Sequence, residues 1–444
     1  MKSTISEKAS IRDALRELKR TGLGLTCIVD SSEVVTGVVS DGDIRRLLLK
    51  NNDLDVSISS IMVSDFVYAK ENETRQDLMK KFDMRVKVLP ILDGRSHLIT
   101  MAQSLGPITF QKASYIRARA PGRISIAGGG TDFTNYFIDN EGCGLAISIA
   151  KFAHATLRPR LDREVNIYSG DFNETLHYGS FEQIDCDSKL PLITTGIKLL
   201  KPNFGFDLEV GSDFPPGSGL GGSASILTAM AGVFAEAKGD KMSKQQIAEF
   251  AFQVERLELG ISGGWQDQYA TVYGGLNYLE FSSSQNEVMP IRLEIDAMRE
   301  LEERLVLCYT GQRHRGGEVQ NRNIKQGNLR TLEVRSELKE IVKKVKIALL
   351  NGDIIKFAEL LTQTWHLKKL ENPDTTGPEI DKIFSLAIKN GALGGRLLGT
   401  GGGGFFIFVS DICRRFELIN TLEEAGYKTE NIKLHSQGLV TWTV

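Results

Sequence analysis

Residues 214–225 read FPPGSGLGGSAS and place four glycines within the six positions 217–222. Gly217, Gly219 and Gly222 fit G-x-G-x-x-G, the spacing of a dinucleotide-binding turn. Such a turn needs its first glycine at a strand end, and an acidic residue about 20 positions later at the tip of the next strand. Here Pro215-Pro216 intervene between strand and loop, and Ser223 to Ala237 read as one helix of small residues running into AKGDKMS. A Walker loop is excluded too, because no Lys-Ser or Lys-Thr pair follows the glycines. What survives is a backbone that can approach an anion closely, followed by a helix start near Ser223 with free N–H groups and a positive dipole end. Taken alone, the stretch also reads as a flexible linker.

Two further glycine runs weigh against that alternative. APGRISIAGGGTDF (120–133) precedes the loop, and LLGTGGGGFFIF (397–408) follows it, ahead of an apolar strand. In this order the three segments resemble the three motifs of the GHMP kinase superfamily, over residues 115–444. The resemblance implies an α+β chain, with a ribosomal-S5-domain-2-like N-terminal kinase domain (115–290) and a ferredoxin-like C-terminal one (291–444). It implies ATP and Mg2+ as cofactors and a small-molecule sugar phosphate as partner. AGGGTDF together with GGWQDQYATVYGG (263–275) looks most like the bacterial D-glycero-D-manno-heptose 7-phosphate kinases. Galactokinase-like members more typically show Gly-Glu-His-Thr-Asp where this chain has Gly128 to Asp132. The implied reaction is phosphorylation of the anomeric hydroxyl to the 1,7-bisphosphate, a step toward nucleotide-activated heptose for capsule, lipopolysaccharide or S-layer glycans. An anomeric kinase of another sugar such as fucose, and a nucleotide sensor with an inactive kinase part, are the competing readings.

Roles carry over residue by residue. Pro216, Gly217, Ser218, Gly219, Leu220, Gly221, Gly222, Ser223 and Ala224 are expected around the ATP phosphates. The Ser223 hydroxyl and Glu255 are the expected magnesium ligands, since Mg2+ takes one or two protein oxygens and completes its shell with water and phosphate. The spacing from Glu255 to the catalytic acid is one residue longer than in mevalonate kinase. Asp267 of GGWQDQY matches the catalytic aspartate, which accepts or orients the attacking hydroxyl's proton; a helix-capping aspartate is the plain alternative. Arg123 of PGRIS matches the basic residue of the first motif, a cation that keeps Asp267 ionised and stabilises the transferring group. Gly129, Gly130, Thr131, Asp132 and Gly264 are expected at the sugar, with Gly402 and Gly403 from the third motif at the substrates or closing over them. A sugar phosphate needs a cation away from the reacting end, and Arg313 and Arg315 of TGQRHRGGEVQNRN (310–323) are the candidates.

The first hundred residues have a different rhythm. A capped helix at 10–18, a hairpin from LTCIVD (25–30) and VVTGVVS (34–40), and a helix at 41–50 are echoed by 61–82, 86–93 and 97–100. This repeat of roughly fifty residues resembles a tandem CBS pair (1–106), joined by a linker (107–114). Such pairs often bind an adenosine nucleotide and often associate face to face, so a homodimer is expected. Ser40 and Asp43 of TGVVSDGDIRR match the family's ribose-holding hydroxyl and acid, or they cap the helix that follows.

In the kinase part, strands are expected at 114–120, 145–150, 154–160 and 206–210. Helices are expected at 223–237, 243–258, 331–351, 353–370 and 377–390, with a strand-like segment at 399–410. A net charge of −2 gives no footprint for nucleic acid. Five scattered cysteines and six histidines, none at metal-ligand spacing, argue against a disulfide framework and a zinc site. No stretch approaches the ~18 apolar residues of a membrane span, and the N-terminus lacks a signal-peptide core, so a cytoplasmic chain is expected.

Overall fold

The computed structural model of the chain describes residues 2–50, 53–71, 73, 75–82, 86–104, 115–160, 162–312 and 329–444. They fall into two compact units, Met1–Lys112 and Ala113–Val444. The linker expected at 107–114 lies outside the described residues.

The first unit repeats one topology twice. Strand Thr4–Ser6 runs parallel to Leu25–Val29, which pairs antiparallel with Val35–Ser40. Ala69–Lys70, Val88–Leu92 and Leu98–Gln103 repeat that order and orientation. Even the turns correspond. Asp30 Oδ1 accepts the N–H groups of Ser32 and Val34, and Asp93 Oδ1 accepts those of Arg95 and His97. The two tips meet at an antiparallel bridge between Val34 and His97. Cys27, Val35 and Val38 of one repeat share a core with Leu92, Leu98 and Met101 of the other.

The second unit begins with an eight-stranded sheet. The two strands expected at 145–150 and 154–160 are one, Gly142–Arg160. The polar Lys151 reads as a break in the sequence, but the strand continues while its neighbours change. Leu276–Phe281 pairs with its first part, and Gly205–Ser212 with its last. Ile116–Ala127 lies along the opposite edge, with a register shift between Pro121 and Arg123. A bulge is where a proline, which cannot donate to the ladder, is tolerated.

Helix Gly222–Lys238 packs under this sheet with Ala224 through Phe234 all buried, as its small, continuously apolar sequence requires. Helix Lys244–Phe252 follows and then widens into a π-helical turn, Gln253–Glu258. A further helix, Gln266–Tyr273, holds Asp267 in its first turn, where a helix-capping aspartate is the alternative reading.

Leu305–Tyr309 opens the C-terminal domain. Its antiparallel sheet has the order Ala392–Leu397, Phe405–Ser410, Leu305–Tyr309, Lys428–Asn431. Helices Leu329–Leu350, Ile354–Glu371, Pro378–Lys389 and Arg415–Glu424 complete it. This is the split β-α-β arrangement expected of a ferredoxin-like domain. Two expectations need correction. The strand begins at Phe405, so 399–404 is loop. The final strand, Val440–Thr443, returns to pair with Ile116–Arg119, so the 291–444 segment yields its last strand to the N-terminal sheet.

Candidate active site

A cavity of about 520 Å³ lies between the two kinase domains, and residues of all three glycine motifs line it. On the phosphate loop, Gly217, Gly219 and Gly221 take positive φ angles of 75°, 80° and 81°. Gly221 is the N-cap of helix Gly222–Lys238, so the free N–H groups of that buried helix open toward the cavity. Pro216 to Gly219 and Gly221 to Ser223 line the cavity, whereas Leu220 and Ala224 are buried in the core behind it.

The third motif crosses this loop. Gly404, at φ 95°, would put a Cβ only 2.7 Å from Ser218 O, and Phe405 N–H donates to that same carbonyl at 3.0 Å. The glycines thus permit a backbone-on-backbone crossing between domains. Gly399 and Thr400 line the cavity, but Gly402 and Gly403 do not; Gly402 N–H is bonded to Thr375 O.

Arg123 leaves the strand of the first motif just past the bulge, and only 3% of it is exposed. Its Nε donates to Asp267 Oδ1 at 2.7 Å and its Nη2 to Oδ2 at 2.5 Å, a bidentate pair. Nη1 donates to Gly219 O at 2.6 Å, fastening the pair to the tip of the phosphate loop. Asp267 sits in the first turn of helix Gln266–Tyr273. That turn is pinned by Gln266, which accepts from Ser125 Oγ at 2.6 Å and donates to Leu145 O at 3.1 Å.

Asp132 braces the same turn. Its Oδ2 accepts Gln266 N–H and its Oδ1 accepts Gly130 N–H, both at 3.0 Å. Burial, reinforced by the Asp267 charge, pushes its pKa up. Gly129, Gly130, Asp132 and Gly264 line the cavity. Thr131 does not, and its expected substrate role is corrected. Its hydroxyl donates to Cys143 O at 2.7 Å and is spent joining the loop to the neighbouring strand.

Ser223 Oγ donates to Glu255 Oε1, and Gln268 Nε2 donates to Oε2 at 2.5 Å. Glu255 is 2% exposed and rides the π-helical turn. A π-turn holds more residues than an α-turn, which gives the one-residue longer spacing to Asp267 a place in the fold. Two hard oxygens converging at the cavity wall fit a magnesium ion. Among the described residues no group of three or more acidic, cysteine or histidine side chains could hold a metal.

Several cavity residues were not foreseen. Arg335 Nε donates to Glu371 Oε1 at 2.7 Å, and Arg335 Cζ lies 5.4 Å from the ring centroids of both Phe133 and Tyr136. Lys368 and Arg396 also face the cavity. The signal for Lys368 was available: it follows Leu361 and Trp365 on one helical face, i and i+4 leading to i+7, where an apolar residue is expected. Arg313 and Arg315 lie outside the described residues. In the first unit, Ser40 and Asp43 form a capping box, with Ser40 Oγ 2.6 Å from Asp43 Oδ2 and Arg46 on the other oxygen. Ser10 and Asp13 cap the preceding helix identically.

Comparison with known proteins places this geometry. The GHMP kinases N terminal domain matches residues 191–275, the GHMP kinases C terminal domain 345–427, and a CBS domain 3–50. The D-glycero-alpha-D-manno-heptose 7-phosphate kinase of Campylobacter jejuni is 33% identical over 337 residues, 74% of this chain and 99% of that protein. The chain belongs to the GHMP kinases.

Among solved structures, this GHMP kinase is similar to a D-glycero-D-manno-heptose 1-phosphate kinase from Bacteroides thetaiotaomicron. The TM-score is 0.63 at 27% identity, covering 74% of this chain and 99% of that one. A sugar kinase from Campylobacter jejuni gives 0.63 at 31% identity, covering 76% and 100%. The bifunctional fucokinase/GDP-fucose pyrophosphorylase of Arabidopsis thaliana is 31% identical over 53% of this chain and 23% of its own length. This GHMP kinase is therefore a sugar kinase with an N-terminal CBS domain, and no helix among the described residues is long and apolar enough to cross a membrane.

Proposed function

We propose that this kinase uses ATP and Mg2+ to phosphorylate the anomeric hydroxyl of D-glycero-D-manno-heptose 7-phosphate. The observation that carries the phosphotransferase reading is the bidentate Arg123–Asp267 pair fastened to the phosphate loop. Phosphoryl transfer asks chiefly for positioning and charge stabilisation. Asp267, part-exposed to the cavity, accepts the proton of the acceptor hydroxyl. Arg123 fixes the orientation of that carboxylate and presents positive charge where the phosphoryl group passes. The loop N–H groups and the helix N-terminus hold the triphosphate. Ser223 and Glu255 would hold Mg2+, which neutralises phosphate charge when bound. Phe172, Leu192 and Ile226 give the cavity an apolar lining that suits the nucleobase.

The heptose phosphate reading of the acceptor is supported by the Campylobacter relative; the fucokinase relative supports fucose as the second reading. The deciding experiment is a screen of heptose 7-phosphate, heptose, fucose and mannose phosphates with Mg-ATP, using Asp267→Asn as the blank. Fastest turnover of heptose 7-phosphate is expected. Preference for fucose would replace the acceptor assignment, and no transfer to any sugar would leave the sensor reading. Within this proposal Arg313 and Arg315 read the distal phosphate, so replacing both with alanine raises KM for the sugar phosphate. Unchanged discrimination against unphosphorylated heptose would refute that role.

A further inference from the structure

Not every cation lining the cavity is ion-paired with an acid. Arg123 is matched by Asp267, and Arg335 by Glu371. Lys368 and Arg396 are left over: among the described residues no carboxylate forms an ion pair with either. Arg396 is 4% exposed; its Nη1 donates to Ile126 O at 3.0 Å, and its Nε has no hydrogen-bond partner among the described residues. Lys368 donates to Gly399 O. Burial and then Arg396 push its ammonium well below the ordinary lysine range; Glu371 pulls it back in part, and Arg123 adds a smaller downward push. Arg396 is likewise lowered, to about 10, by burial and then Arg123. Holding two uncompensated cations together in a partly dry cleft destabilises the free protein. A fold keeps such a cluster where an anion arrives to neutralise it.

Position says which anion. Lys368 hangs on the first residue of the third motif's loop, and Gly399 N lies 3.2 Å from where a Cβ on Gly219 would stand. Arg396 hangs on the strand that carries Arg123. Lys368 therefore adjoins the tip of the phosphate loop, and Arg396 lies close enough to Lys368 and Arg123 for the charges to act on one another. We propose that Lys368 and Arg396 form a phosphate subsite separate from the loop's N–H cradle, and that its occupant is the terminal phosphoryl group of the nucleotide as it is transferred. The two cations bind the oxygens of that group, and no bond to them forms or breaks. The acceptor's own phosphate has the same chemistry and is the alternative source. The inference rests on the phosphotransferase reading but is tested by binding alone.

The test compares the full chain with Lys368→Met and Arg396→Met. With Mg2+ present, calorimetry measures affinity for a non-hydrolysable ATP analogue, for ADP, and for heptose 7-phosphate against heptose; thermal melts are recorded without ligand. Expected is a tenfold or greater loss for the ATP analogue with ADP unchanged, since ADP lacks the terminal group. The unliganded Lys368→Met protein should melt at the wild-type temperature or above, because an uncompensated charge has gone. A loss confined to heptose 7-phosphate would keep the phosphate subsite and assign it to the acceptor. Wild-type affinities throughout, or a lowered melting temperature with all affinities unchanged, would make the cations structural and overturn the proposal. Arg396→Met also breaks the bond to Ile126. Lys368→Met leaves that bond in place, so its affinities settle the question if the arginine variant does not fold. If no sugar is ever phosphorylated, the ATP-against-ADP difference still decides.

Discussion

Gly264 lies beside the carboxylate that braces the catalytic turn, and a methyl group there has nowhere to go. A Cβ on Gly264 would stand 2.0 Å from Asp132 Oδ2, 2.1 Å from Cγ and 2.5 Å from Oδ1. The backbone at 264 is not in the left-handed region, so Gly264→Ala acts through this collision and not through strain. The carboxylate must swing away, releasing the N–H groups of Gln266 and Gly130. Hydrogen bonds to a charged group are worth about 1.5–3 kcal/mol each, and overpacking costs about 1–3 kcal/mol. The raised pKa of Asp132 means that the fold holds its charge reluctantly, which favours the lower end of each range. A loss of about 4 kcal/mol is expected in urea unfolding, followed through Trp265, which stacks on Phe252 at 3.5 Å between centroids. Because Asp267 follows on the same turn, a displacement near 1 Å should also lower kcat about a hundredfold. The control is a cycle with Asp132→Ala, which removes all three atoms that the methyl strikes. In that background Gly264→Ala should cost under about 1 kcal/mol, giving a coupling of about 3 kcal/mol or more. Costs that add within about 0.5 kcal/mol would show that the two positions do not act through one contact, and the argument would fail.

Asp267→Asn should lower kcat by roughly 10²- to 10⁴-fold while leaving ATP affinity near wild type in calorimetry; an unchanged kcat would remove Asp267 from the chemistry. Ser223→Ala and Glu255→Gln should each raise the Mg2+ concentration for half-maximal rate by about tenfold, and an unaltered Mg2+ titration would refute their role as ligands. Lys368 gives a pH test whose sign is fixed. Its folded pKa lies below its unfolded value of about 10.4, so between the two the unfolded chain binds more protons and stability rises with pH. Below both, the cost of the buried charge is full and constant. Subtracting the Lys368→Met unfolding curve from wild type should show that alkaline rise, and a flat difference would assign the shift to another group.

The kinase motifs were legible because their chemistry is written in residue types that little else demands. Glycines where one backbone crosses another at Ser218, an arginine beside a bulged proline, and an aspartate two residues after Gly-Gly-Trp all leave marks in sequence. The paired repeats of the first unit were legible for a similar reason, since their hairpin turns reuse one aspartate geometry. What could not be read depends on partners remote in sequence. Lys151 looks like the end of a strand, and the pairing does lapse around it, but Leu276–Phe281 and Ile116–Ala127 pair before it and Gly205–Ser212 and Ile116–Ala127 after it, so one strand runs through. Thr131 sits inside the first motif and reads as a substrate contact, yet Cys143, twelve residues on, claims its hydroxyl. Ser40 and Asp43 were open between a ribose and a helix cap, and the structure shows the cap. Arg396 reads as an ordinary strand residue, since nothing local reveals that its guanidinium is buried without an acid.

The strand of the first motif explains how such scattered groups stay in register. Side chains alternate across a strand, and Ile124 and Ile126 point into a core shared with Leu338 and Phe405 of the C-terminal domain. Arg123 and Ser125 point the other way, and each fixes one residue of the catalytic turn, Asp267 and Gln266 respectively. The carbonyl of Ile126 then takes Arg396 from the opposite domain. Four consecutive residues thus reference both domains and the Asp267 carboxylate to one pleated segment, packed in a core that seals the two domains together. Precision in a site follows from rigid elements whose own contacts are satisfied. The bulge at Pro121 sets where that segment begins, because a one-residue slip there would exchange the two faces. Arg123 would then enter the core, and Ile124 would face Asp267.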